Sequence, residues 1–90
     1  MRELFDALRA AKSRAELTAF MRDLCTIGEL EAMAHRWEVA RLVNTGLPYT
    51  EIAEKTGAST ATVTRVAHWL NHGEGGYRSA IDNARRAKRA

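Results

Sequence analysis

Several features of secreted, membrane and nucleotide-binding proteins are missing from this 90-residue sequence. Cys25 is its one cysteine, so no disulfide can form within the chain, and we expect a small buried hydrophobe in a reducing cytoplasm. No apolar run approaches the roughly 20 residues that span a bilayer, and the amino end, with Glu3 and Asp6, lacks a secretion-signal pattern. The glycines at 73 to 76 lack the order of a phosphate-binding loop. These absences predict a cytoplasmic protein without a membrane segment.

Side chains that bind metals or carry catalysis are few and poorly placed. His68 and His72 are four residues apart and could meet a metal together, but no cysteine or carboxylate has a spacing that completes a tetrahedral site. Cys25 with His35 would need a deep pocket to become a catalytic pair, and a chain this small and helical offers none. We therefore expect no enzyme, no metal site and no cofactor.

Apolar periodicity predicts an all-α chain of about six helices without strands. The first helix covers residues 3–11, and the next two begin at capping boxes, Ser13 to Glu16 and Thr26 to Glu29. The third should run to about Thr45, where Gly46 stops it. Its apolar residues cover more than one stripe, which predicts burial from more than one side. A short chain buries a limited fraction of its surface, so a second copy is the simplest stabilising partner.

The stretch from Tyr49 to Asn71 has the pattern of a helix-turn-helix. Ile52 and Ala53 lie on one face of a short first helix, and Ala53 is small enough for a second helix to cross closely over it. Gly57 can enter the left-handed backbone conformation of the turn without the steric cost of a Cβ. Ser59 then suits the N-cap of the second helix.

The second helix of this motif has one apolar and one polar face. The apolar residues should point back at the first helix: Val63, Val66, Ala67 and Leu70. The outward residues form the candidate recognition face: Thr60, Ala61, Thr64, Arg65, His68 and Asn71. Residues 59–71 contain no Asp or Glu, and short hydroxyls with a cation suit phosphate oxygens and base edges. The alternative is an ordinary helical hairpin, since such offsets also arise by chance.

Charge is unevenly placed in this chain of net charge +3. Residues 1–30 carry five basic and five acidic side chains, whereas residues 59–90 carry six basic and two acidic ones. The excess lies in and after the second helix of the motif, where a glycine-rich linker leads to a last short helix and a basic tail. This asymmetry favours a polyanionic partner, although the tail alone would also serve solubility.

These residues resemble the Trp repressor-like family of bacterial transcription regulators, in particular its YerC/YecD branch. The most specific match is TGASTATVTR, residues 56–65, supported by TIGELEAMAHRWEVARLV, residues 26–43. The resemblance implies an all-helical intertwined homodimer whose two motifs enter successive major grooves. It further implies that Thr50 and Ala53 lie near the phosphate backbone and that Thr60, Ala61 and Thr64 face base edges. The domain then divides into dimerisation helices (1–45), the helix-turn-helix (49–72) and the carboxy-terminal helix with its basic tail (77–90).

Arg36 and Arg65 match the two arginines that hold the corepressor in tryptophan-responsive members of this family. Those members have a glycine where this chain has Val66, and a small hydroxyl residue where it has Trp69. Val66 would place a branched side chain in the indole slot, so L-tryptophan is not expected as an effector. Trp69 either fills the slot itself, stacked on an arginine, or packs against the last helix.

Two functions from different classes fit these patterns. The first is a sequence-specific DNA-binding transcriptional regulator, expected to be a repressor, that binds double-stranded DNA at a two-fold operator as a homodimer. The second is a helical dimerisation or adaptor module whose residues 49–71 bind a protein. Salt distinguishes them, because displacing phosphate counterions makes DNA binding steeply salt-dependent, whereas an apolar protein interface responds little.

Overall fold

The computed structural model describes residues 1–89, which form six α-helices and no strand. In chain order these are α1 (Arg2–Ala10), α2 (Arg14–Leu24), α3 (Ile27–Asn44), α4 (Tyr49–Thr56), α5 (Thr60–His72) and α6 (Gly76–Arg89). The predicted all-α class and number of helices are confirmed. Over the described range, no helix combines the length and the apolar character needed to cross a membrane.

The chain divides into an amino-terminal unit, residues 1–33, and a carboxy-terminal unit that begins at Ala34. In the first unit both predicted capping boxes begin helices. The backbone N–H of Glu16 donates to Ser13 Oγ over 3.0 Å. At α3 the box is reciprocal: Glu29 N–H donates to Thr26 Oγ1 over 3.1 Å, and Thr26 N–H donates to Glu29 Oε1 over 2.8 Å. These bonds satisfy amide groups that a helix start leaves unpaired.

The apolar faces of α1 and α2 are only partly covered within this chain. Neither helix contains a buried residue, and Phe5 and Leu24 are 57% and 49% exposed. The prediction that Cys25 is buried is wrong. Cys25 is only partly buried. It is the C-cap of α2, with an extended backbone and an N–H that donates to Met21 O. The amino-terminal unit thus presents large apolar side chains that are about half exposed in the single chain.

The carboxy-terminal unit contains the buried core of the described chain. Val39 and Ala40 of α3 meet Ile52 of α4 and Val63 of α5, all four at 0% exposure. On α6, Ile81 is buried as well. A compact apolar cluster of this kind fixes how the helices around it pack, so α4 and α5 of the motif are held against α3 by this core.

Within the chain only Val39 and Ala40 of α3 are buried, so the expected burial of this helix from more than one side stays a prediction. Ile27 and Met33 are 48% and 40% exposed. The helix ends as predicted, because Asn44 is its last residue and Gly46 takes a positive φ of 87°.

The last helix is longer than the predicted short helix that begins at Tyr77. It begins at Gly76, directly after Gly75 with its φ of +86°, and it continues to Arg89. Alanine and arginine, which dominate its second half, have high helix propensity. The basic segment predicted as a tail is therefore helical, while Ala90 and the side chain of Arg89 lie outside the described residues.

Candidate nucleic-acid interface

The turn of the motif has the predicted local geometry. Gly57 is the C-cap of α4 with a φ of +78°, and its N–H donates to Ala53 O over 2.9 Å. Ser59 has an extended backbone, and its hydroxyl oxygen accepts the N–H of Thr62 over 3.1 Å. A left-handed residue followed by an N-cap ends one helix and begins the next within three residues.

Two side chains that sequence reasoning missed hold this turn in place. Thr56 Oγ1 donates to Ile52 O over 2.8 Å and accepts the N–H of Ala58 over 3.2 Å. The Thr56 carbonyl in turn lies 2.9 Å from His35 Nε2 on α3. Because a carbonyl only accepts, Nε2 must carry the proton in this bond. The sequence offers one signal for this interaction, a threonine at the end of the first helix of the motif, two residues before Ala58.

The inward face of α5 is confirmed residue by residue. Val63, Val66, Ala67 and Leu70 are 0%, 3%, 4% and 5% exposed. Their spacing follows the helical repeat, so the opposite face is turned outward. On α4, Ile52 is fully buried and Ala53 is partly buried against the core.

Every residue of the candidate recognition face on α5 is exposed. These residues are Thr60, Ala61, Thr64, Arg65, His68 and Asn71. Thr64 Oγ1 donates to the Thr60 carbonyl over 2.9 Å, which leaves the lone pairs of this hydroxyl free to accept. Arg65 joins no ion pair with the described residues, so its guanidinium is available. The face offers hydroxyl oxygens, one permanent cation and an imidazole, with no carboxylate on the helix.

The first turn of α4 is the second part of the candidate interface. Thr50 is exposed in the first turn, and Glu51 forms an i,i+4 ion pair with Lys55 at 4.0 Å. Both partners are about half exposed, so this pair contributes little to stability. An exposed threonine hydroxyl at a helix start can donate to an anionic oxygen.

The residues matched to the family's effector site have contrasting environments. Arg36 on α3 and Arg65 on α5 are exposed. Val66 is 3% exposed and belongs to the core cluster with Val39. Trp69 is 52% exposed, and its ring meets His68 edge to face with centroids 5.7 Å apart.

Beyond the end of α5, Trp69 and Tyr77 line one open cavity of about 410 Å³ together with glycines 73 and 76. Gly73 is the C-cap of α5, and a Cβ there would lie 2.3 Å from the Trp69 carbonyl oxygen. Because a side chain at position 73 would clash with this oxygen, the backbone can take this path out of α5 only with glycine there. The indole ring lies next to this glycine turn.

No group of three or more His, Cys, Asp or Glu side chains in the described range is arranged to hold a metal ion.

Arg78 of α6 donates to Asn44 Oδ1 at the end of α3, which ties these two helices together. The motif and the basic last helix thus share one unit built on the carboxy-terminal half of α3.

Comparisons with known proteins agree with this architecture. Residues 1–85 match the family model described as Trp repressor protein. The protein YerC of Bacillus subtilis (strain 168) is 42% identical over 83 residues, which are 92% of this chain and 80% of that protein. A TrpR-like protein from Eubacterium eligens has a similar crystal structure, with a TM-score of 0.86 and 41% identity over 92% of this chain and 86% of that chain.

A candidate Trp repressor from Staphylococcus aureus matches with a TM-score of 0.85 and 37% identity, over 93% of this chain and 84% of that chain. The family model and the relatives each span most of this sequence, including the amino-terminal helices and the helix-turn-helix. Members of this family are regulators rather than enzymes. The chain belongs to the Trp repressor family.

Proposed function

We propose that this protein is a transcriptional regulator that binds a two-fold DNA operator as a homodimer through α4 and α5. The observation that carries this proposal is the exposed face of α5. It presents hydroxyls, Arg65 and His68 to solvent and carries no acidic residue, while the opposite face packs in the core. An ordinary helical hairpin has no physical reason to keep carboxylates off its solvated side, whereas a helix in the major groove does.

Within this proposal the two helices of the motif have different tasks. Thr50 and the backbone near Ala53 contact phosphates and set the register of α5 on the duplex. Thr60, Ala61 and Thr64 face base edges from the amino-terminal half of α5, and Arg65 reaches bases or the adjoining phosphates. His68 and Asn71 lie one and two turns further along the same exposed face, where the groove walls are near. We propose that the bound protein represses transcription rather than activating it.

The dimer is proposed because the amino-terminal unit cannot cover its own apolar surface. None of the residues of α1 and α2 is buried, and Phe5, Leu24, Ile27 and Met33 are each at least 40% exposed. Apolar faces on two consecutive amphipathic helices are typical of an obligate interface. A second copy supplies an identical set of faces and a two-fold axis, which two-fold operator sites match.

The DNA proposal is tested by selecting bound fragments from random genomic DNA and measuring their affinity at several salt concentrations. We expect one enriched sequence with two-fold symmetry. The logarithm of its affinity should fall linearly with the logarithm of salt, with a slope of about −0.9 per phosphate neutralised. If no sequence is enriched and capture of a protein by residues 49–71 barely responds to salt, the adaptor hypothesis replaces this proposal.

The dimer proposal is tested separately by sedimentation and by thermal unfolding over a range of protein concentrations. A dimer that folds with association should melt at a lower temperature on dilution. Replacing Phe5, which is 57% exposed in the single chain, with serine should shift the equilibrium toward the monomer. A fully helical monomer with the same melting temperature at every concentration would contradict an intertwined dimer.

A further inference from the structure

Two imidazole rings stand side by side near the carboxyl end of α5. His68 and His72 are four residues apart, so they lie on one face of the helix, and their ring centroids are 5.3 Å apart. Both side chains are exposed. We propose that His68 and His72 form a two-imidazole binding site for a divalent late transition-metal ion of the Zn²⁺, Ni²⁺ or Cu²⁺ class.

The separation of the rings fits chelation of one ion. A metal–nitrogen bond of about 2.1 Å, plus ~1.1 Å from nitrogen to ring centre, places each ring centre ~3.2 Å from the metal. Two such rings at a tetrahedral angle of ~109° have centres about 5.2 Å apart. The observed centroid distance of 5.3 Å is close to this value, so rotation of the two side chains can turn one nitrogen of each ring toward a single ion. Water completes the coordination, so the site does not need the four protein ligands of a structural zinc site.

The surroundings favour a cation at this position. The last turn of a helix carries partial negative charge from its unpaired carbonyls, and α5 ends at His72. The third histidine is committed elsewhere, because His35 Nε2 donates to the Thr56 carbonyl. Imidazole nitrogen binds the late transition metals well, whereas Mg²⁺ and Ca²⁺ prefer oxygen ligands. The site should therefore discriminate between these two classes of ion.

Metal binding at this site has a consequence that rests on the proposed function. His68 belongs to the exposed face that is proposed to meet DNA, and chelation with His72 occupies one of its two ring nitrogens and fixes the orientation of the ring. The metal and the operator therefore compete for His68. Binding of the metal itself does not depend on DNA and is measured without it.

Trp69 provides the readout of the metal site. The chain has two tryptophans, and the ring of Trp69 lies 5.7 Å from that of His68. Cu²⁺ quenches indole fluorescence at short range, so CuCl₂ titrated into untagged Trp37→Phe protein should quench Trp69 with one equivalent per chain. A Cys25→Ala background removes the one competing thiol. MgCl₂ at the same concentrations should leave the fluorescence unchanged.

Single substitutions separate a chelate from general adsorption of copper. His68→Ala and His72→Ala should each weaken Cu²⁺ binding by about a hundredfold, because two donors held together bind far more tightly than one. Both residues are exposed, so the variants should keep their helices, which circular dichroism checks. The control Asp82→Asn removes an exposed carboxylate from α6 and should bind like the parent. Affinities within twofold of the parent for both histidine variants would overturn the site.

A separate measurement tests whether the metal competes with DNA. Saturating ZnCl₂ should weaken binding of the selected operator by the parent and leave the His72→Ala variant unaffected. Equal operator binding by the parent with and without ZnCl₂, alongside confirmed metal binding, would overturn the competition and leave the metal site standing. Failure to select any operator would instead count against the proposed function, so the two results are distinguishable.

Discussion

Replacing Arg65 by alanine tests the proposed recognition face most directly, because the change removes the proposed contact with DNA and little else. Arg65 is exposed and joins no ion pair with the described residues. Its loss should therefore change the free energy of unfolding by less than about 0.5 kcal/mol. Any larger effect on DNA affinity then belongs to the interface.

The expected loss of affinity follows from the contact and from the symmetry. A base contact contributes roughly 1–3 kcal/mol of discrimination at its base pair. The proposed homodimer would carry the substitution twice, so additive half-sites would lose about 2–6 kcal/mol, or roughly 30-fold to 10⁴-fold in affinity. Most of this loss should fall on the selected operator, with little change for unrelated DNA.

Arg86→Ala is the matched control for charge. Arg86 is exposed on α6 and donates to Asn83 Oδ1 over 2.7 Å, and it is not part of the candidate recognition face of α5. If it touches DNA at all, it reaches a phosphate, and its loss weakens all sequences alike and reduces the salt slope by about 0.9 for each contact. Operator and scrambled duplex are measured in parallel at two salt concentrations. An Arg65→Ala variant that binds every DNA as well as the parent, or that weakens both duplexes equally, would refute the recognition face.

Titration of L-tryptophan into the protein should give no binding heat and no change in DNA affinity, because Val66 is buried and overpacking of an indole slot costs about 1–3 kcal/mol. A one-per-subunit endpoint with tighter DNA binding would contradict this. Gly57→Ala should lose about 1–2 kcal/mol in urea unfolding, since φ is +78° and nothing lies within 4 Å of an added Cβ, so the cost is backbone strain. Gly57→Asn should lose less, and equal stability of all three proteins would refute the strain argument. The backbone N–H of Thr26, and secondarily its side chain, lower the pKa of Glu29. This stabilisation is complete above the unfolded-state pKa and is lost as pH falls through the lower folded-state pKa. Glu29→Gln should therefore flatten the acid limb of stability as pH falls below the ordinary pKa of 4.5, and an unchanged limb would refute this role.

Local features of the sequence determined where the helices begin and end. Ser13 and Thr26 have the side chains that bond amides three residues ahead, and Gly57 is the residue that tolerates a left-handed turn. These interactions span few residues, so they depend little on the rest of the fold. The two faces of α5 were predictable for the same reason, because the 3.6-residue repeat separates Val63 from Thr64 whatever the helix packs against.

Only the tertiary structure decided which apolar faces are covered within the chain and which distant groups meet. An amphipathic stripe has the same pattern whether it packs in its own chain or against another, so the sequence could not reveal that α1 and α2 contain no buried residue. The bond from His35 to the Thr56 carbonyl joins residues 21 positions apart, which no local pattern encodes. Likewise, the half exposure of Trp69 and the spacing of the His68 and His72 rings depend on side-chain rotamers at the end of α5. Periodicity fixes the direction of a side chain from its helix, and only the packed surroundings fix what that side chain touches.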